Sequence, residues 1–381
     1  MKTYARRISF LVLWLAVFIG GVSLTVVHGQ TAPAVGSLVI QCPMACRISI
    51  PGLGVKDDAP KDHLQLASVP AGTYTATFSA FNRQLAHTFV ITAGQATRFV
   101  VNIAQGKVKE LGPDSVAAAQ PAGPAPASPD LGKTASKEYP LSAPRYVIPE
   151  IGITMIAVPP ASFIMGTDLG NKIERPPMRV TLTRRYWLSQ TEVTQSQWLA
   201  LMETNPSKEA VPDRPVVNVS WIDAMEFCQR LTRHERSVGH LPEGYFYILP
   251  FEAQWEYACL AGGEGRLEDE LKHIGWYQAN SGGHDHPVGQ LAPNAWGFQD
   301  MRGNVAEWCF DWLGTYPGGM TADYAGPATG TQRVIRGGAY DMIAFCCRAS
   351  YRSGEEPAKT HPNVGFRVAL FSLPPKADKG K

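Results

Sequence analysis

Two adjacent thiols, Cys346 and Cys347, follow the phrase Arg336-Gly337-Gly338-Ala339-Tyr340 and precede Asn363-Val364-Gly365-Phe366-Arg367. Vicinal thiols invite redox or soft-metal chemistry, and two glycines after an apolar strand let one stretch of backbone approach another closely. His284-Asp285-His286 has the residue types of a metal site. It lies in a glycine-flanked loop with no third ligand at helical or hairpin spacing, so it reads as a solvated turn. Cys42 and Cys46 bracket Pro43-Met44-Ala45 with no histidine or second cysteine pair at ligand spacing. They read as a local disulfide or as two small packed thiols.

The elements that must position these groups fall into separate regions. Lys2, Arg6 and Arg7 precede an uncharged apolar run from Ser9 to Val27, so residues 1–29 read as a secretory signal peptide. The run is near the length of a membrane span, and left uncleaved it would hold the chain at the inner membrane. No cysteine lies at the cleavage region, which argues against a lipid anchor. A periplasmic or secreted protein is expected. Residues 36–103 show short alternating apolar stretches broken by glycine and proline, the pattern of a small all-β sandwich. Residues 104–144 are rich in Ala, Pro, Ser and Gly and read as a linker that leaves the flanking domains independently mobile. Residues 145–372 form the large domain, with two readable helices: Asp223 to Glu235 behind the cap Ser220, and Phe251 to Leu260. Residues 373–381 read as a disordered tail. A formal charge of +2 with 18% charged residues gives no field that would gather nucleic acid.

Further phrases run in order through the large domain: Phe163-Ile164-Met165-Gly166, Thr191-Glu192-Val193-Thr194-Gln195, Pro215 to Trp221, Leu249 to Ala258, and Asn294 to Trp308. With the glycine and cysteine phrases above, they resemble the formylglycine-generating enzyme family, the sulfatase-modifying factors. The resemblance implies an α+β, C-type-lectin-like fold. The step from Val69 to Tyr74, with Ala93-Gly94-Gln95, looks like the PEGA family of surface β-domains.

The resemblance also implies an oxidase that uses oxygen and copper(I) held by two thiolates to convert a sulfatase cysteine to formylglycine. The two thiolate positions are Met342 and Cys347 here, so one thiol is replaced by a thioether. Cys346 is adjacent, but on a strand its side chain would point away from that of Cys347. Ala339 and Ala306 stand where the family has a serine and a tryptophan. Met342 with Cys347 remains a possible soft pair for copper(I), and under the oxidase reading Cys347 and Cys346 are the working thiols. The resemblance implies a calcium site from Asp300, the carbonyls of Gly303 and Val305, and Glu307, an oxygen set that suits a hard cation. A second calcium site of the family, around Asn280 to Gly283, is expected to be missing. Arg336, Arg352 and Arg367, with Gly337, Gly338, Asn363 and Gly365, are expected to be structural. Seven cysteines in an exported chain suggest disulfides, and Cys228, Cys259 and Cys309 are candidate partners for the vicinal pair. The leading expectation is a non-catalytic binding or regulatory protein for an exported or membrane protein or a glycan; the competing one is the copper oxidase.

Overall fold

The computed structural model describes residues 34–56, 60–80, 83–103, 106–111, 143–261 and 271–372. The signal segment, most of the linker and the tail lie outside them. Among the described residues no helix is long and apolar enough to cross a membrane.

The N-terminal unit is built on one long strand. β1 (Val35–Ser49), β2 (Pro60–Pro70), β3 (Gly72–Ala80), β4 (Arg83–Ile91), β5 (Ala96–Asn102) and β6 (Lys107–Leu111) form a sheet ordered β4-β3-β1-β5-β6, with β2 on β1. β1 pairs in parallel with β5 from Ser37 to Gln41, then with β3 from Arg47 to Ser49. The change of partner doubles the sheet over, so the expected sandwich is a single hydrogen-bonded sheet whose halves share a core. Phe89 on β4 lies 5.2 Å from Phe99 on β5 within that core. The end of β3 alternates buried and half-buried residues, as a strand with one face on a core must. β6 pairs with β5 from Asn102↔Lys107 to Arg98↔Leu111, so the sheet runs past residue 103 into the stretch read as linker. Lys107-Val108-Lys109-Glu110-Leu111 is polar because it forms a largely exposed edge.

The large domain is mixed, sheet-rich and poor in helix. Its elements in chain order are β7 (Arg145–Val147), β8 (Thr154–Val158), β9 (Ala161–Met165), β10 (Met178–Leu182), β11 (Tyr186–Ser189), α1 (Gln195–Leu199), α2 (Trp221–Ser237), β12 (Tyr245–Ile248), α3 (Glu252–Leu260), α4 (Leu271–Ile274), β13 (Ala306–Trp312), β14 (Met320–Ala322), β15 (Arg333–Arg336), β16 (Arg352–Glu355), β17 (Val364–Gly365) and β18 (Ala369–Ser372). The strands form three sheets, ordered β14-β10-β9, β12-β18-β11-β8-β7 and β16-β15-β13-β17. α2 begins where a capping box puts it. The Ser220 hydroxyl accepts from the Asp223 N–H at 3.1 Å, and the Asp223 carboxylate accepts from the Ser220 N–H at 3.0 Å. Its Ala224, Met225, Phe227, Cys228 and Leu231 face the core.

α3 is different in kind, because every residue from Glu252 to Cys259 is buried. Two of those are glutamates, and buried carboxylates need partners. Arg352 grips Glu252 through Nε and Nη2 at 2.7 and 2.6 Å. Arg336 lies 3.2 Å from Glu252 through Nε and bonds Glu256 through Nη2. The other oxygen of Glu256 accepts from the Gly166 N–H at 2.8 Å.

The two domains touch. Arg83, at the start of β4, donates to the Pro327 carbonyl at 3.3 Å and stands 5.5 Å from the centre of the Phe310 ring. Beneath it Asp311 is fully buried, and burial and the charge of Glu252 push its carboxyl up to about 7. The expectation of independently mobile domains therefore meets a docked hairpin.

Arg352→Ala leaves Glu252 buried with half its charge partners and is expected to cost about 3–5 kcal/mol in urea unfolding. Arg83→Glu sets a second anion over Asp311. It is expected to lower hydrogen-exchange protection of Phe310 and Asp311 well below wild type while the strands of each sheet stay protected; unchanged protection there would contradict the docking.

Candidate functional site

The vicinal thiols sit on a 3-10 turn, Ala344–Cys347, not on a strand. Successive side chains on such a turn diverge by roughly a third of a circle, and the two thiols meet different surroundings. Cys347 is fully buried in a small cluster with Leu271 and Ile274, flanked by Tyr277 and Ala344. Burial and the neighbouring Cys346 push its thiol up to about 12, so it is protonated at neutral pH. Cys346 is half-buried and shares a side-chain hydrogen bond with Tyr351. Gly338 makes this packing possible. Its φ is +70°, and a Cβ there would lie 2.6 Å from the Cys346 carbonyl oxygen and 2.7 Å from the Cys347 sulfur.

Met342 packs against the main core rather than the Cys347 cluster. The thioether and the Cys347 thiol thus lie in different clusters. This arrangement does not fit a copper(I) ion held between the two. All seven cysteines are unbridged, so the disulfides expected from composition are not closed in this structure. Cys228, Cys259 and Cys309 are each buried on different elements.

The calcium residues lie where the loop before β13 meets the core. Glu307 holds Arg367 with both oxygens, to Nε and Nη2 at 2.7 Å each, and accepts from the Trp255 indole at 2.7 Å. Arg367 spreads onward to the carbonyls of Ser189, Gln190 and Gln299. Asp300 has φ +56° and accepts from the Gly289 N–H with Oδ2 at 2.6 Å, while its Oδ1 is buried without a hydrogen-bond partner. Glu192 reaches the Val305 N–H with Oε1 at 3.5 Å, and its Oε2 is likewise buried without one. Burial pushes Asp300 up to about 6 and Glu192 well above the usual carboxylate range, with the charges of Glu307 on both and of Asp300 on Glu192 adding to the rise.

Two orphaned carboxylate oxygens in one buried, mutually repelling group are what a hard cation would relieve. The donor set fits calcium with Glu192 added; Glu307 spends both oxygens on Arg367. Glu192 was missed in the sequence because a lone glutamate in Thr191-Glu192-Val193-Thr194 has no ligand spacing to mark it. Its acidic character inside an otherwise packed phrase was the one available signal. Among the described residues no three His, Cys, Asp or Glu side chains form a closed metal cage, so backbone carbonyls such as those of Gly303 and Val305 must complete any such site.

His284-Asp285-His286 is not the solvated turn expected. His286 stacks on Trp276 at 3.8 Å between ring centres, donates from Nε2 to the Ser281 carbonyl at 2.7 Å, and has its own backbone N–H on Asn304. Asp285 lies 3.5 Å from Arg214. Only His284 is exposed. Asn363 donates to both oxygens of Asp341, tying the loop after Gly338 to the strand that carries Gly365.

Residues 149–371 match the family described as the sulfatase-modifying factor enzyme 1-like domain. A formylglycine-generating enzyme of Streptomyces coelicolor is 37% identical over 180 residues, covering 42% of this chain and 53% of that protein. The chaperone protein LppX of Paenibacillus barcinonensis is 26% identical over 237 residues, covering 48% and 79%. The solved structure of Treponema denticola variable protein 1 superposes with a TM-score of 0.54 at 31% identity, covering 59% of this chain and 97% of that one. The chain spans about half the length of the formylglycine-generating enzyme it matches.

Asp300 supplies a pH test. Its folded pKa is raised, so the folded chain binds the proton more tightly than the unfolded one. The stability it gives is fully present below the ordinary value of 3.8 and is lost as pH rises through about 6. In chelator, the urea midpoint is expected to fall across this window, less steeply in Asp300→Asn. Saturating calcium should remove the wild-type fall, adding about 2.7 kcal/mol at a hundredfold excess over Kd. Identical slopes in both proteins would rule Asp300 out as the source.

Proposed function

The chain belongs to the sulfatase-modifying factor enzyme 1-like family, and we propose that it is an exported, non-catalytic binding or regulatory member of it. The observation that carries this reading is the state of the thiols. Cys347 is buried among apolar side chains, and Met342 stands at the other of the two thiolate positions that the resemblance implies and packs in a different cluster. An oxidase that binds copper(I) through two thiolates has no such pair here. One relative's name states another role: LppX is named a chaperone protein.

The loops around this position support binding. Ile343 and Phe345 are exposed at 55% and 39% beside Cys346, and Leu169 and Ile173 at 91% and 42% on the neighbouring loop. The two loops are fastened by Glu174, which is buried and bonds Arg348 at 2.8 and 3.0 Å and Ser350 at 2.8 Å. Apolar side chains held out on an anchored face favour a protein partner over a glycan. Calcium at Glu192 and Asp300, with the carbonyls of Gly303 and Val305, would hold the loop before β13; its part is structural. The N-terminal sheet, which we read as a PEGA-like module, docks through Arg83 and places this face relative to the cell envelope.

The test is anaerobic copper(I) titration of the reduced mature protein, followed by oxygen and mass analysis of a Cys-x-Pro-x-Arg peptide. No stoichiometric copper and an unchanged peptide are expected, for wild type and for Met342→Cys. Tight copper and peptide oxidation by the wild type would establish the copper-dependent oxidase instead.

A further inference from the structure

Cys42 and Cys46 lie at the two feet of an irregularity in β1, where the register against β2 shifts between Gln41 and Cys46. On one side of it β1 ends its pairing with β5 at Gln41↔Val100; on the other it begins its pairing with β3 at Arg47↔Ser79. The side chains turn toward each other across this bend, with sulfurs 2.8 Å apart and both residues fully buried. Two thiols do not make a metal site by themselves, and among the described residues no third His, Cys, Asp or Glu side chain stands with them. A disulfide needs about 2.05 Å, a closing movement of under about 1 Å.

We propose that Cys42 and Cys46 are a disulfide in the mature protein, stapling the bend of β1. The two thiols lose their protons, a small disulfide oxidant of the glutathione type takes the two electrons and protons and leaves as two thiols, and one S–S bond forms for the one broken. Because both sulfurs are buried, closure happens as the sheet folds, and the finished bond is shielded from reductant. The staple sits beside the turn end of the β3–β4 hairpin, one residue before the Arg47↔Ser79 pair, and that end carries Arg83 to Pro327 and Phe310. The proposal takes from the exported reading only the compartment in which oxidant is met.

The test uses the purified mature chain, unfolded and reduced, then refolded in a glutathione buffer of oxidising poise, acid-quenched and alkylated in denaturant. The tryptic peptide ending at Arg47 contains both cysteines. It is expected to be lighter by two hydrogens and unalkylated, with Cys228, Cys259, Cys309, Cys346 and Cys347 all alkylated. Alkylation of Cys42 and Cys46 at equilibrium, or either one joined to another cysteine, would overturn the proposal. The Cys42→Ser, Cys46→Ser double variant is expected to melt lower by on the order of 5 °C, with less exchange protection in β3 and β4. The glutathione experiment needs no export, so a chain found in the cytoplasm would defeat the functional reading while leaving this result to stand or fall alone.

Discussion

The large domain depends on two carboxylates carried into its centre by a helix with no exposed face. Glu252 and Glu256 on α3 meet Arg336 from β15 and Arg352 from β16, and Trp255 between them reaches Glu307 on β13, which in turn holds Arg367. Loops and strands far apart in sequence are thereby fixed to one short helix. Such pairs are a poor source of net stability, since desolvation offsets most of the attraction. They are costly to break singly, however, and that makes the arrangement specific. The phrases that recur through the sequence are the places where this network touches the chain: Gly166 on Glu256, Glu307 on Trp255, Arg336 and Arg367 on their carboxylates.

A scaffold fixed in this way leaves the surface chemistry free to differ. Gly338 is needed because the turn carrying the vicinal thiols presses on it, whether or not those thiols react. What reactivity requires is a thiolate and a second soft donor in the same pocket. Here Cys347 is buried among apolar side chains and Met342 packs in a different cluster. The buried polar atoms without a hydrogen-bond partner include Glu192 Oε2 and Asp300 Oδ1, and oxygen selects a hard ion. The pair Cys42 and Cys46 is likewise separated from metal chemistry, because among the described residues no third ligand stands with it.

Much of this was legible in the sequence. Ser220 with Asp223 announces the start of α2, and the ordered glycine and tryptophan phrases announce the family and its mixed fold. What was not legible depends on contacts made across the chain. β6, with Lys107, Lys109 and Glu110, is too polar to read as a strand, because it forms an edge that faces water. Cys346 and Cys347 were placed on a strand because residue types alone cannot tell a 3-10 turn from extended chain. Trp276 under His286 and Phe310 under Arg83 are aromatic contacts with no local trace. Glu192 faces Asp300 only after more than a hundred residues of chain return to the same place.

We propose that this protein has a hard-cation site and no soft one. Anomalous diffraction from crystals grown with calcium and then exposed anaerobically to copper(I) tests both halves in one map. The account predicts a calcium peak between the carboxylates of Glu192 and Asp300 and no copper at Cys347. A copper peak shared by Cys347 and Met342 or Cys346, with none between the carboxylates, would contradict it.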